Sequence, residues 1–168
     1  LLDTRDPVVR FLEARRIRPP RALARVLEIV WQEELLAEML SPPGTGSGAA
    51  GWAERLVRFR TLGLARGDRR FSEVLSVRLL RETRAFCRQP TGSAADELLG
   101  MLRVAALLDP PPDLWEAQNV WYTCAIRRGL GPGAAAVPDA TLRELAERLG
   151  FAPRQLVGQG PAAAGQPS

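Results

Sequence analysis

Asp113-Leu114-Trp115-Glu116-Ala117-Gln118-Asn119-Val120-Trp121-Tyr122 is the stretch whose reading decides the fold. It holds two of the chain's 4 Trp residues and its only Tyr. Pro110, Pro111 and Pro112 stand directly before it, and Arg127-Arg128-Gly129 closes it. Asp113 followed by Glu116 has the spacing of a capping box, with the prolines fixing the entry of the chain. On a helix Glu116, Asn119, Thr123 and Arg127 fall on one stripe at spacings of three and four. Leu114, Trp121, Tyr122 and Ala125 lie opposite, with Gln118 among them. A segment so apolar around most of its circumference is expected inside a helical array rather than on its rim. A Gln on that apolar side must find hydrogen-bond partners or cost roughly 1–3 kcal/mol. Gln118 therefore reads as a packing-register residue or a ligand contact, and the packing reading is preferred because buried polar groups are nearly always satisfied structurally.

Working outward, the same periodicity recurs. Asp6-Pro7 caps and opens a short helix to about Arg15, with Val9 and Leu12 inward. Pro19-Pro20 restarts the chain, and a longer helix runs to about Leu40. Arg21, Arg25, Glu28 and Gln32 form its polar stripe and Leu23, Val26, Leu27 and Val30 its buried one. Residues 41–51, rich in Gly, Pro and Ser, read as a flexible connection. It lacks the Gly-Lys-Ser/Thr ending of a phosphate-binding loop. Trp52, Leu56 and Phe59 then repeat at helical spacing, and Gly67-Asp68 turns the chain. The next helix covers about Phe71 to Gln89, with Leu75, Leu79 and Phe86 inward. After Pro90-Thr91-Gly92-Ser93, Ser93 and Asp96 have capping-box spacing, and Leu98, Leu99, Leu102, Ala105 and Ala106 line one face. Gly129 to Gly133 is a loop, and a last helix of about Ala140 to Leu149 stops at Gly150. Beyond it the chain is Gly, Pro, Ala and Gln, too poor in apolar mass to order itself. The expectation is all-α: a compact array of six to seven antiparallel helices in one domain, 1–151, with a disordered tail, 152–168.

Composition narrows the function. The chain has 168 residues, enough to bury about two-thirds of the surface its unfolded form exposes. It has no His, which removes the commonest general base and the commonest metal ligand together. Cys87 and Cys124 are far apart in sequence in apolar helical settings and read as buried thiols in a reducing compartment, with no zinc site or redox motif to be built from them. No cofactor is expected. All 23 basic residues are Arg, dispersed among 19 acids, so the net charge of +4 reads as a solvated mixed-charge surface rather than a nucleic-acid patch. No run approaches the roughly 20 apolar residues that span a bilayer, and no secretory leader is visible, so a cytoplasmic protein is expected. The first residue is Leu rather than Met, so the chain is expected to be a piece of something longer.

Two patterns carry a resemblance: Val8-Val9-Arg10-Phe11-Leu12 leading to Pro19-Pro20-Arg21-Ala22-Leu23-Ala24, and the sharper Asp113–Tyr122 stretch. Together they resemble the C-terminal helical region of glycoside hydrolase family 57-like proteins, over about residues 6–151, in the same order and with a variable middle. In such proteins a catalytic barrel lies N-terminal to this region, and a Glu nucleophile with an Asp acid performs retaining chemistry on α-glucans. The barrel motifs, including the His-containing one, have no counterpart here, so no catalytic residue carries over and the resemblance gives Trp115–Tyr122 no role. The acids present lie mostly on polar stripes or at helix starts, where caps and dipoles account for them. A retaining pair would need carboxylates about 5–5.5 Å apart in a cleft.

The expectation is thus a non-catalytic helical module whose partner is the N-terminal barrel of its parent chain. Contact with α-glucan would run through Trp52, Trp115, Gln118, Trp121 or Tyr122, since aromatic faces stack on sugar rings. Helical spacing favours core packing for the aromatics, with Trp52, just after the glycine-rich connection, the best candidate for exposure. Two other readings compete. Thr141–Phe151 looks like the first helix and turn of a helix-turn-helix, but Ala152–Gly158 is too short to supply a recognition helix. A helical scaffold gripping a peptide partner lacks any fixed repeat period.

Overall fold

The protein is described by a computed structural model at residues 7–15, 17–42, 47–63, 69–127, 130 and 135–152. The expected cap at Asp6, the turn at Gly67–Asp68, most of the loop 129–133 and the tail beyond Ala152 lie outside the described residues, as do the side chains of Val9 and Arg127. The chain is all-α. Seven α-helices are described: α1 Pro7–Ala14, α2 Arg21–Leu40, α3 Gly48–Thr61, α4 Arg69–Arg88, α5 Gly92–Ala105, α6 Trp115–Trp121 and α7 Asp139–Arg148. Between α6 and α7, Tyr122–Arg127 continues as a π-helical segment. There is no strand among the described residues. Two compact units form, one from Leu1–Arg78 with Arg103–Asp113, the other from Leu79–Leu102 with Leu114–Ser168.

In the first unit α2 buries Leu27, Trp31, Leu35, Leu36 and Met39. Trp31 stacks on Phe59 of α3, ring centroids 4.8 Å apart. Each such side chain removed from water contributes about 1.5–3 kcal/mol. The expected buried stripe of α2 is rotated: Leu27 is in the core, Leu23 and Val30 are half-buried, and Val26 is exposed. Trp31 draws the inward face onto the 27-31-35-39 row, which leaves Val26 on the other side. Ala22, Val26, Ile29, Ala37 and Leu40 consequently form a second apolar row that is open, interrupted by Glu33, which pairs with Arg70 at 3.3 Å.

The connection after α2 is shorter than 41–51, because α3 begins at Gly48 and Ala49 is fully buried. Ser47 sits at the start of α3, and its hydroxyl donates to Glu38 Oε2 at 2.7 Å. Arg55 approaches Glu38 Oε1 at 2.6 Å, tying α2 to α3. Burial alone would raise the Glu38 pKa, but the Ser47 hydroxyl and the Arg55 charge together hold it below the ordinary carboxylate value. Gly51 must be glycine, since a Cβ there would overlap the Ser47 side chain.

Arg78 is the buried cation of this unit. Its Nη1 donates to the Met39 carbonyl at 2.9 Å and to the Ser41 carbonyl. These are acceptors at the end of α2 that the helix itself cannot satisfy. Its guanidinium lies 5.4 Å from the centre of the Trp52 ring. Nearby, Arg60 donates to the Leu107 carbonyl and Ser72 to the Pro110 carbonyl.

The second unit is built on Leu79 and Phe86 of α4, Leu98, Leu99, Met101 and Leu102 of α5, Trp121 of α6, and Leu145, Ala146 and Leu149 around α7. The cap of α5 is Thr91, whose hydroxyl accepts from the Ala94 N–H at 3.2 Å, not Ser93 as the spacing suggested. Ala106 lies beyond the end of α5 and is exposed. α7 ends in a Schellman motif: the Phe151 N–H donates to the Ala146 carbonyl at 2.8 Å and the Gly150 N–H to the Glu147 carbonyl at 2.9 Å. Gly150 takes φ 84°, the left-handed conformation that this motif demands.

Candidate functional site

In the second unit α6 starts at Trp115, with Leu114 at the capping position and no side-chain cap. The helix thus begins one residue after the Asp113 register read from the sequence. Trp121 is fully buried and stacks on Phe86 of α4, centroids 5.8 Å apart. One turn later, Cys124 Sγ lies 3.6 Å from the Cys87 carbonyl oxygen. At the other end Arg84 and Glu116 approach at 3.8 Å. The segment therefore lies along the second half of α4, and an open pocket of about 580 Å³ lies between them. Arg84, Cys87 and Arg88 line it from α4, and Glu116, Asn119, Val120, Thr123 and Cys124 from the opposite side. The stripe Glu116-Asn119-Thr123 predicted from the sequence is thus a pocket wall.

Gln118 is half-buried and donates through Nε2 to the Leu149 carbonyl at 2.9 Å. Its Nε2 also stands 3.4 Å from where a Cβ on Gly150 would be. Tyr122 stacks on Phe151, centroids 6.3 Å apart. Both contacts meet the Schellman end of α7, so Gln118 sets the register between two helices. Hydrogen bonds account for the side chain that the apolar pattern singled out.

The aromatic candidates separate sharply. Trp52 belongs to the first unit and is 2% exposed beneath Arg78, so it is core, as helical spacing favoured, and is not the exposed aromatic for which it was the best candidate. The chain folds α3 from Gly48 onward, and that carries Trp52 onto the buried face with Leu56 and Phe59. Trp121 is also core. Trp115 is 65% exposed and Tyr122 44%, so the segment is not enclosed on all sides. Seven residues of helix place these two on one side of α6. Trp115, Gln118 and Trp121 share α6, Tyr122 opens the π-helical segment that continues it, and Trp52 does not join them.

Several functional-looking residues were invisible in the sequence. Arg84 and Arg88 lie in an ordinary amphipathic helix, and Cys87 and Cys124 read as two buried thiols far apart in sequence. No linear signal pairs positions 37 apart. The one available hint was that both cysteines follow an inward aromatic on a helix, Phe86 by one residue and Trp121 by three.

Burial, followed by contact with Cys124, pushes the Cys87 thiol well above its ordinary range, so it is protonated at neutral pH. No cluster of three or more Cys, Asp or Glu side chains among the described residues is arranged to hold a metal ion. No described helix is long and apolar enough to cross a membrane. No protein-family model, curated protein or solved structure matches the chain.

Proposed function

We propose that this chain is a non-catalytic helical module, the C-terminal region of a glycoside hydrolase family 57-like, α-glucan-acting protein, and that it packs against a catalytic barrel encoded upstream. The observation that carries the reading is the second apolar row of α2. Val26, Ile29 and Leu40 are each about half exposed or more, although the helix already has a complete buried face. Apolar side chains aligned on one helix face and left open are what a covering partner explains.

The carboxylates support the same reading. Eight glutamates among the described residues, Glu28, Glu33, Glu38, Glu54, Glu73, Glu82, Glu116 and Glu144, pair with arginines. Glu38 is held below its usual value, the opposite of what a general acid needs. Where the parent's glucan reaches this module, the exposed Trp115 and the side of Tyr122 turned away from Phe151 are the aromatic surfaces it can meet.

The coding DNA directly upstream of Leu1 tests the proposal. The expected result is an open frame that runs on into a barrel carrying the missing His and carboxylate motifs, with α-glucan cleavage by the long product and none by the chain alone. A start codon with its own promoter immediately before Leu1, or glucan cleavage by the chain alone, overturns it.

A further inference from the structure

The chain has two cysteines, and the fold brings them together. Cys87 lies in the last turn of α4 and Cys124 in the π-helical segment. The Cys124 Sγ reaches to 3.6 Å from the peptide carbonyl of Cys87. Both are free, both are half-buried, and both line the open pocket between the two elements. Two neighbouring contacts flank that approach: the Trp121–Phe86 stack on the core side and the Arg84–Glu116 pair on the solvent side. Disulfides demand that the two backbones already stand close with facing side chains. The Cys124 sulfur stands against the Cys87 backbone, with the two residues on facing elements of one pocket. A purely structural thiol pair would be closed off in apolar surroundings, whereas this one has a solvent path lined by Arg88.

We propose that Cys87 and Cys124 are a reversible redox pair, oxidised by a hydroperoxide that enters the pocket to an intramolecular disulfide joining α4 to the π-helical segment. The Cys124 sulfur attacks one peroxide oxygen and gives up its proton. The O–O bond breaks, the departing oxygen takes a proton and leaves as water or an alcohol, and Cys124 becomes a sulfenic acid. The Cys87 sulfur then attacks the Cys124 sulfur, the S–O bond breaks, and the hydroxyl leaves as water with the Cys87 proton. Two thiols have lost two electrons and two protons, and one hydroperoxide has taken them up. Cys87, protonated through burial and its neighbour, is the slower nucleophile, which assigns the first attack to Cys124. The bond would pin the Trp115–Arg127 segment to α4, and a dithiol reductant would release it.

The test treats the purified full chain with stoichiometric hydrogen peroxide and reads intact mass, thiol count and non-reducing peptide maps. The expected product is a monomer lighter by two hydrogens, with both thiols lost together, a Cys87–Cys124 linked peptide and full reversal by dithiothreitol. Under the same treatment C87S accumulates a sulfenic acid on Cys124 that dimedone captures, and C124S consumes peroxide at least about tenfold more slowly than the wild type. Oxygen addition without hydrogen loss, a disulfide between two copies of the chain, or a C124S variant as fast as the wild type would each overturn the proposal. The wild-type mass decides even where a variant fails to fold.

Discussion

Trp115 and Trp121 stand six residues apart on one helix, yet the fold assigns them opposite work. Trp121 has no exposure and stacks on Phe86, so W121A removes a large ring from a packed core and should cost about 3–5 kcal/mol. Trp115 is two-thirds exposed, and W115A should cost under about 0.5 kcal/mol. Urea titration of the two variants measures both. Where the urea titration shows W115A folded, its retention in an amylose-containing gel reports glycan contact. Weaker retention than the wild type supports contact, and unchanged retention removes Trp115 from it. The sequence distinguished these two residues poorly. Periodicity marks a face, but which face is covered depends on the neighbour that arrives. The same limit explains Trp52, which its place beside a glycine-rich connection made the best candidate for exposure although its spacing favoured the core. It lies under a guanidinium supplied by Arg78, 26 positions away in sequence. Gln118 was legible because a buried amide forces the question of its partner. The partner itself, the Leu149 carbonyl, could not be read locally.

Among elements, helix positions were largely legible, because prolines and glycines punctuate them. Pro20 precedes α2, Pro138 precedes α7, and Gly150 ends α7 in a left-handed conformation. Caps were less legible. Thr91 rather than Ser93 caps α5, and α6 starts one residue later than the Asp113 register, since the chain's entry angle selects among several eligible polar residues. The end of α2 has a device that no local pattern announces. Its last acceptors are satisfied by Arg78 from a distant helix, reinforced by the Trp52 ring. R78M keeps the bulk but strands buried carbonyls, and thermal or urea unfolding should show a loss of about 2–3 kcal/mol. R78K retains the charge without the planar fork and should fall between the two. A neutral R78M would show that α2 ends without its help. The π-helical segment was also unforeseen. Its sequence, Tyr-Thr-Cys-Ala-Ile-Arg, is that of an ordinary helix, and π turns are set by the packing around them.

For the whole molecule, the all-α class was legible from Leu, Ala, Arg and Glu content and from the 3.6-residue period, which short-range chemistry enforces. The pocket and the cysteine pair were not, because both arise where two elements distant in sequence meet. What the chain does rests on the open row of α2 and on a resemblance carried by two stretches. An accessory module predicts that this row is covered in the parent protein. The direct measurement places single cysteine probes at Val26 or Ile29, in a chain carrying C87S and C124S, and compares maleimide labelling in the isolated chain and in the product of the complete reading frame. The account predicts rapid labelling of the isolated chain and labelling at least about tenfold slower in the long product, where the barrel covers the row. Equal rates in the two proteins would contradict it.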